Sequence, residues 1–185
     1  MALLQQLTSK LSNKGGFRLD YHIDSMNIFD WNQVSGIYLA GIKTGIATFQ
    51  QELPTWEAWD HNHCESCRLV ARSGDRILGF AALSPVSSRC VYAGVAEVSV
   101  YVDPECQRQG IGKALLTNLV KCSEKQGFWT LQAGIMKENE ASCLLHRECG
   151  FRVVGIREKL GRMDDGTWHD VVFMERRSQV TGTGS

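Results

Sequence analysis

One short stretch of this chain combines a strand, a glycine-rich loop and a helix. Residues 98–116 read VSVYVDPECQRQGIGKALL, and Asp103-Pro104 ends the strand before the loop begins. The first N–H groups of a helix have no carbonyl partner within it and carry partial positive charge. Gly110 and Gly112 have no side chain that would keep an anion away from this backbone. The stretch therefore predicts a loop that holds a phosphorylated ligand at the start of a helix.

Two well-known phosphate loops do not fit the spacing. The dinucleotide-binding pattern requires a third glycine where this chain has Leu115. The P-loop pattern requires Ser or Thr after its Gly-Lys pair, and Ala114 follows Lys113 here. The loop therefore belongs to another class, in which Arg108 and Lys113 can add positive charge.

Hydrophobic periodicity predicts a single α/β domain, a mixed sheet with helices, over residues 17–177. The predicted strands are residues 17–23, 68–72, 76–84, 91–102, 129–135, 151–158 and 167–175, with a short extended piece at 46–52. The predicted helices are residues 30–43, a helix that starts at 55, and residues 110–125 and 139–149. We expect residues 1–16 and 178–185 to be disordered tails, with a targeting segment as the alternative for the first.

Composition argues against several function classes. The 185 residues include 20 Lys and Arg and 20 Asp and Glu, so the formal net charge is 0. Such a chain lacks the basic excess on which non-specific binding to nucleic acid or anionic membranes relies. No apolar run approaches the roughly 18 residues that cross a bilayer. We expect a cytoplasmic protein that binds neither nucleic acid nor membrane.

Seven cysteines, an odd number, rule out a framework in which all of them are paired. His61, His63, Cys64 and Cys67 lie within seven residues, but no second ligand pair follows, so we expect no metal site and no redox pair. The remaining cysteines are expected to be small, partly buried side chains: Cys90, Cys106, Cys122, Cys143 and Cys149.

Two separated motifs resemble one enzyme superfamily. Residues 107–112, QRQGIG, resemble the pyrophosphate loop of the GNAT acyltransferases, which bind acetyl-CoA. Residues 138–142, ENEAS, and 145–151, LHRECGF, resemble a second GNAT segment at the expected distance, and the order of strands and helices is similar. The resemblance implies the GNAT acyl-CoA N-acyltransferase fold, a mixed central sheet flanked by helices, with acetyl-CoA as acetyl donor and no metal.

The resemblance is closest to the phosphinothricin or arsinothricin acetyltransferase-like branch. It is carried by residues 37–38, 47–49, 96–102, 131–135, 145–146 and 168–170. Members are homodimers that acetylate the α-amine of small amino-acid analogues, such as phosphinothricin, methionine sulfone and methionine sulfoximine. Two positions depart from the branch: Ala93 stands where an Arg is usual, and Val98 where a His often follows the acid. The nearest arginine is Arg89.

The resemblance also assigns the donor site. The main chain of residues 100–102 would pair with the pantetheine arm, in a strand that a bulge splays in this superfamily. The residues implied for CoA are Val100, Tyr101, Val102, Gln107, Arg108, Gln109, Gly110, Ile111, Gly112, Lys113, Asn139 and Ser142. An ordinary core strand and a helix N-cap at Asn139 are the structural alternatives.

Acetyl transfer to an amine requires a base for the amine proton and a proton for the departing thiolate. The resemblance implies Glu97 as the base, acting through a water, and His146 as the proton donor. The alternatives are a structural carboxylate and a packed histidine. The substrate contacts expected by position are Phe49, Arg89, Tyr92 and Trp168, with Arg89 for a carboxylate and a core or dimer role as the alternative for the aromatics.

Two other functions remain open. A GNAT enzyme could instead acetylate a polyamine, a protein lysine or a protein N-terminus. The chain could also be a catalytically inert sensor that binds acyl-CoA.

Overall fold

The computed structural model of this protein describes residues 19–184. Its strands are β1 (His22–Ser25), β2 (Leu69–Ser73), β3 (Arg76–Pro85), β4 (Val95–Val102), β5 (Thr130–Met136), β6 (Arg152–Arg162) and β7 (Trp168–Arg177). Its helices are α1 (Trp31–Lys43), α2 (Trp56–Asn62), α3 (Ile111–Lys125) and α4 (Glu140–Glu148). The strands form one sheet in the order β1-β2-β3-β4-β5-β7-β6, in which β4 and β5 run parallel and the other neighbours antiparallel.

The predicted elements agree with the structure except in four places. The strand predicted at 151–158 continues to Arg162. The first strand covers His22–Ser25, and the start of the predicted range 17–23 lies outside the described residues. The predicted strand 91–102 begins only at Val95, because Cys90–Tyr92 form a turn of 3₁₀ helix. The predicted extended piece 46–52 pairs with no strand of the described chain and lies in the loop between α1 and α2.

Each face of the sheet has its own helices and its own core. Helix α1 packs with Phe80 of β3 on one face, which we call the α1 face. Helix α3 buries Leu115 and Leu119 completely against Ala96 of β4 on the other, the α3 face. Side chains alternate along a strand, so Glu97 on β4 lies on the α1 face. The sheet thus separates the glycine-rich loop before α3 from the helices of the opposite face.

A disulfide connects two cysteines that the sequence analysis treated separately. Cys67, before β2, is bonded to Cys122 on α3. The expectation that Cys122 is only a small packed side chain is therefore wrong. The two residues are 55 positions apart, so only the packing of α3 on β2 brings them together. The bond ties the last turn of α3 to the segment that enters the sheet.

The segment after β7 is bound to helix α3. The Ser178 hydroxyl donates a hydrogen bond of 3.0 Å to Oε1 of Glu124, and the Thr181 hydroxyl donates one of 2.9 Å to the carbonyl of the same residue. Ser178 is buried. The expectation of a disordered tail from residue 178 onward does not agree with these contacts, while the expected tail 1–16 lies outside the described residues.

Within residues 19–184, none of the helices combines the length and the apolar character needed to cross a membrane.

Candidate active site

Strands β4 and β5 separate soon after they begin. They pair only over residues 95–97 and 130–132, and the last pair is Glu97 with Gln132. Beyond that point β4 continues to pair with β3 up to Val102, while β5 pairs with β7 up to Met136. The facing edges of β4 and β5 are therefore free to receive an extended ligand by main-chain hydrogen bonds, as an added strand would.

The main chain of the three predicted pantetheine contacts lies along this gap. Val100, Tyr101 and Val102 pair with β3 on one side and have no β5 partner on the other. The register between β3 and β4 is continuous from residue 96 to residue 102. The expected bulge in β4 is therefore not seen, and the gap opens because β5 diverges.

The glycine-rich loop reaches the gap through two left-handed residues. Arg108 has φ 61° and Gly110 has φ 81°, and α3 begins at the next residue. The first helical hydrogen bond runs from the N–H of Ala114 to the carbonyl of Gly110, at 2.9 Å. The N–H groups of residues 111–113 precede it, so they lack a carbonyl partner within the helix and are suited to bind an anion.

Contacts around this loop constrain what it can hold. A Cβ on Gly112 would lie 3.3 Å from Leu145 of α4, so α3 and α4 approach closely at the loop. The side-chain oxygen of Gln109 is buried without a hydrogen-bond partner among the described residues. Lys113 donates a 2.9 Å hydrogen bond to Glu148, which raises the pKa of the lysine. These features fit a phosphate held by backbone N–H groups, with Arg108 as the exposed cation.

Glu97 stands where the two strands part. Its carboxylate is exposed on the α1 face and accepts a 3.0 Å hydrogen bond from the amide nitrogen of Gln132. Among the described residues no cation lies within ion-pair distance of it. A carboxylate in this setting can accept a proton from an amine or a water positioned over the gap.

Sequence reasoning missed a group of hydroxyls beside the gap. The Tyr101 ring stacks on Phe80 at 5.2 Å and lies 4.9 Å from the ring of Tyr38 on α1. The side chains of Tyr38, Thr48 and Tyr101 hydrogen-bond to one another. Burial raises the pKa of both tyrosines, so both hydroxyls stay protonated at neutral pH. A tyrosine at an apolar position of a helix was the only available signal.

The loop between α1 and α2 crosses the α1 face beyond this group. The Asn139 amide donates a 3.4 Å hydrogen bond to the carbonyl of Ile46, and the N–H of Asp164 donates one of 3.2 Å to Gln51. Between them, Phe49 packs so closely on Gly161 of β6 that a Cβ there would lie 2.2 Å from its ring. The structure therefore places Phe49, a predicted substrate contact, over the far end of the α1 face.

The site residues predicted at the start of α4 and on it form hydrogen bonds within the protein. The Asn139 side-chain oxygen accepts the N–H of Ser142 and caps the helix, as the structural alternative expected. The His146 ring is buried, and its Nδ1 donates 2.8 Å to the carbonyl of Ser142. A carbonyl can only accept, so the neutral ring carries its proton on Nδ1 and Nε2 is an acceptor. Nε2 has no partner among the described residues, and burial lowers the pKa of His146.

The other predicted substrate contacts lie at opposite ends of the site. The Arg89 guanidinium lies 5.7 Å from the ring centre of Tyr92, and both are exposed before β4 begins. Trp168 pairs with Arg162 at the start of β7, and its neighbour His169 faces Phe49. Alternation along the strand therefore places Trp168 on the α3 face, away from Glu97.

Known proteins match the chain in sequence and in structure. Residues 31–151 match the model of the acetyltransferase (GNAT) family. This chain belongs to the GNAT acetyltransferases. Its sequence is 31% identical over 154 residues to a phosphinothricin N-acetyltransferase of Alcaligenes faecalis. This alignment covers 80% of this chain and 77% of that protein. The chain is 34% identical over 139 residues to the enzyme of that name from Streptomyces viridochromogenes, which covers 73% and 75%.

The fold of this chain also resembles that of a solved acetyltransferase structure. The crystal structure of a phosphinothricin acetyltransferase from Sinorhizobium meliloti in complex with AcCoA aligns with a TM-score of 0.79 and 27% identity. The alignment covers 89% of this chain and 92% of that one. The GNAT fold and the branch expected from the sequence are thereby confirmed, and the enzyme is an N-acetyltransferase.

The left-handed glycines at the two ends of α3 give a matched test of the GNAT loop. Gly110 and Gly127 have φ 81° and φ 86°, and a Cβ would meet nothing closer than 3.9 Å at the first and nothing within 4 Å at the second. Gly110→Ala and Gly127→Ala should each destabilise the fold by about 1–2 kcal/mol in urea unfolding. Only Gly110→Ala should weaken acetyl-CoA binding, about tenfold by titration calorimetry. Equal affinity in the two variants would show that the loop does not bind the donor.

The buried His146 makes stability depend on pH. The unfolded histidine takes up a proton below about pH 6.5. In the folded protein burial lowers the pKa of His146, so the unfolded state binds more protons and stability falls as the pH drops. We expect His146→Gln to flatten the decline in unfolding free energy between pH 7 and pH 5. The exposed His61→Gln variant is the control, and His63, whose pKa burial also lowers, contributes to the slope that remains.

Proposed function

We propose that this enzyme transfers the acetyl group of acetyl-CoA to the α-amine of a small amino acid or amino-acid analogue. The relatives named phosphinothricin N-acetyltransferase support the acceptor class, as does a 33% identical match to an L-methionine sulfoximine/L-methionine sulfone acetyltransferase of Salmonella typhimurium. The position of Glu97 carries the proposal most directly. It stands where β4 and β5 part, so one carboxylate lies next to the gap and on the open α1 face.

The donor is held from the α3 side. Residues 100–102 offer main-chain groups to the pantetheine arm, and the loop 107–113 offers N–H groups and Arg108 to the pyrophosphate. Asn139 and Ser142 contribute from the start of α4, where the amide and hydroxyl retain unused hydrogen-bonding capacity. When bound, acetyl-CoA supplies the acetyl thioester.

The acceptor is held from the α1 face. Glu97 takes the proton of the acceptor ammonium, through a water, because an amine with a pKa near 8 is mostly protonated at neutral pH. Arg89 binds the acceptor carboxylate, with Tyr92 packed against its guanidinium and Phe49 over the apolar part of the side chain. Trp168 is the weakest member of the predicted set, since it lies on the other face.

His146 is the proposed source of the proton for the departing thiolate. Its Nε2 must be protonated for this, and both the bond from Nδ1 to Ser142 and the lowered pKa leave Nε2 unprotonated at neutral pH. The role therefore requires that Nε2 take up a proton during turnover. In that case His146→Gln lowers kcat while acetyl-CoA affinity is kept.

We further propose that the enzyme is a homodimer. Strand β6 is the edge of the sheet, and its side chains Val153, Ile156 and Leu160 are between 38% and 52% exposed. Exposed apolar edge strands favour pairing with a second chain. Light scattering after size exclusion tests this, and Ile156→Lys should shift a dimer toward monomer.

A mass-spectrometric screen with acetyl-CoA tests the acceptor class. The panel holds phosphinothricin, methionine sulfone, methionine sulfoximine, the common amino acids, spermidine and a lysine peptide. Product mass is preferred to thiol reagents, because the five free cysteines would add background to them. We expect acetylation of an amino-acid analogue. Acetylation of spermidine or the peptide alone would contradict the proposed acceptor, and acetyl-CoA binding without any product would indicate a sensor.

A substitution of Glu97, the proposed base, distinguishes a loss of catalysis from a loss of acetyl-CoA binding. Glu97→Gln keeps the shape and the contact with Gln132 but removes the proton acceptor. We expect kcat to fall by about 10²–10⁴-fold, with acetyl-CoA affinity unchanged. The loss should shrink at high pH, where the free amine is already deprotonated. The exposed Glu57→Gln on α2 is the control, and a variant at Glu97 with normal kcat would remove it from the mechanism.

A further inference from the structure

An arginine without an acidic partner lies over the open half of the α1 face. The Arg157 guanidinium of β6 is 4.7 Å from the ring centre of Phe173 on β7. No carboxylate of residues 19–184 is within ion-pair distance of it. The side chain is exposed, so its charge is available to a ligand.

The strand register places this arginine on the same face as Glu97. Glu97 pairs with Gln132, and Gln132 pairs in turn with Glu175 of β7. Phe173 is two residues from Glu175 and so shares its face, opposite Gly134 of β5. No helix covers this half of the face in the described chain, because α1 and α2 pack over β2 and β3. The loop between α1 and α2 covers its far end, where Phe49 packs on Gly161 and His169, and Gly134 stays exposed.

The spacing suits an acceptor that carries an acidic group far from its amine. Phe173 lies two strands away from Glu97 and one side-chain row further along, about 12 Å between Cα atoms from strand spacing and rise. Gly134 lies between them and has no side chain to fill the space. An amine near Glu97 therefore leaves room for a side chain of a few carbons before the guanidinium is reached.

The other cations near this face are accounted for. Arg152 pairs with Glu175. Lys137 pairs with Asp170, and Lys159 donates its N–H to the same carboxylate, which alternation along β7 places on the α3 face. Arg89 precedes β4, on the opposite side of Glu97 from Gly134, where the α-carboxylate is proposed to bind. Arg157 is thus the described cation that remains for a second anionic group.

We propose that the Arg157 guanidinium binds an acidic group at the far end of the acceptor side chain, such as a phosphinate or a carboxylate. The enzyme then prefers amino acids with acidic side chains to neutral ones of similar length. This specificity rests on the proposed function, since it assumes that the acceptor amine lies at Glu97. A planar guanidinium forms paired hydrogen bonds with such oxyanions and is itself supported by the Phe173 ring.

The test compares two acceptors in variants of Arg157 and Arg89. Phosphinothricin ends in a charged phosphinate, and methionine sulfone ends in a neutral sulfone. Arg157→Gln should lower kcat/KM for phosphinothricin by roughly 10- to 100-fold, mainly through KM, as expected for one charge-assisted contact. The value for methionine sulfone should change by less than about threefold, and Arg157→Lys should recover part of the loss. Arg89→Gln should lower both values.

Arg162→Gln is the matched control. Arg162 lies on the same strand with its guanidinium 5.9 Å from the ring centre of Trp168, but it pairs with that residue on the α3 face. It should leave both acceptors unaffected. Equal losses for the two acceptors in Arg157→Gln, or no loss, would overturn the proposal while acetylation by the unaltered enzyme still supports the proposed function.

Failure of the proposed function has a different signature. If the unaltered enzyme acetylates neither acceptor, calorimetry with phosphinothricin in the presence of CoA compares binding to it and to Arg157→Gln. Weaker binding to the variant supports the arginine site without the proposed reaction. Equal binding, or none to either protein, overturns the arginine site as well.

Discussion

The separation of β4 from β5 is the constraint on which the rest of the site depends. A parallel pair that ends after three residues leaves two rows of main-chain groups facing a gap. That arrangement is stable only because β3 and β7 hold the outer edges of the two strands in register. It gives the donor an extended binding edge, leads to the helix N-terminus at Gly110, and leaves Glu97 beside the gap on the α1 face.

The loop between α1 and α2 links the two sides of this gap. It contacts α4 through Asn139, the hydroxyl group of Tyr101 through Thr48, and β6 through Phe49. The three contacts differ in kind. The first is a hydrogen bond from an amide to a carbonyl, the second is a hydrogen bond between hydroxyls, and the third is the packing of an aromatic ring on a glycine. The loop thereby contacts residues on both the donor side and the acceptor side of the site.

The sequence predicted best what local patterns determine. The helix starting at the glycine-rich loop, the family and the place of Glu97 follow from contiguous residues, and the structure and comparisons agree with the fold. Contacts between distant segments were missed: the disulfide of Cys67 with Cys122, the attachment of Ser178 to α3, and the place of Arg157 over Phe173. These depend on the packing of α3 and on the order in which β7 and β6 follow β5, which no local spacing determines.

The hydrogen-bond partners of Glu97 and His146 are neutral groups, and this affects how each residue can exchange a proton. Glu97 accepts its hydrogen bond from the neutral amide of Gln132. Arg152 forms an ion pair with Glu175, two strands away from Glu97. A guanidinium in place of Gln132 would stabilise the ionised carboxylate and make it a poorer base. On the donor side, His146 is buried and hydrogen-bonds to a carbonyl rather than a carboxylate. Burial lowers the pKa of His146 by more than this hydrogen bond raises it, so the neutral ring is favoured. His146 therefore rests as the neutral ring, whose Nε2 has no hydrogen-bond partner among the described residues and can accept a proton.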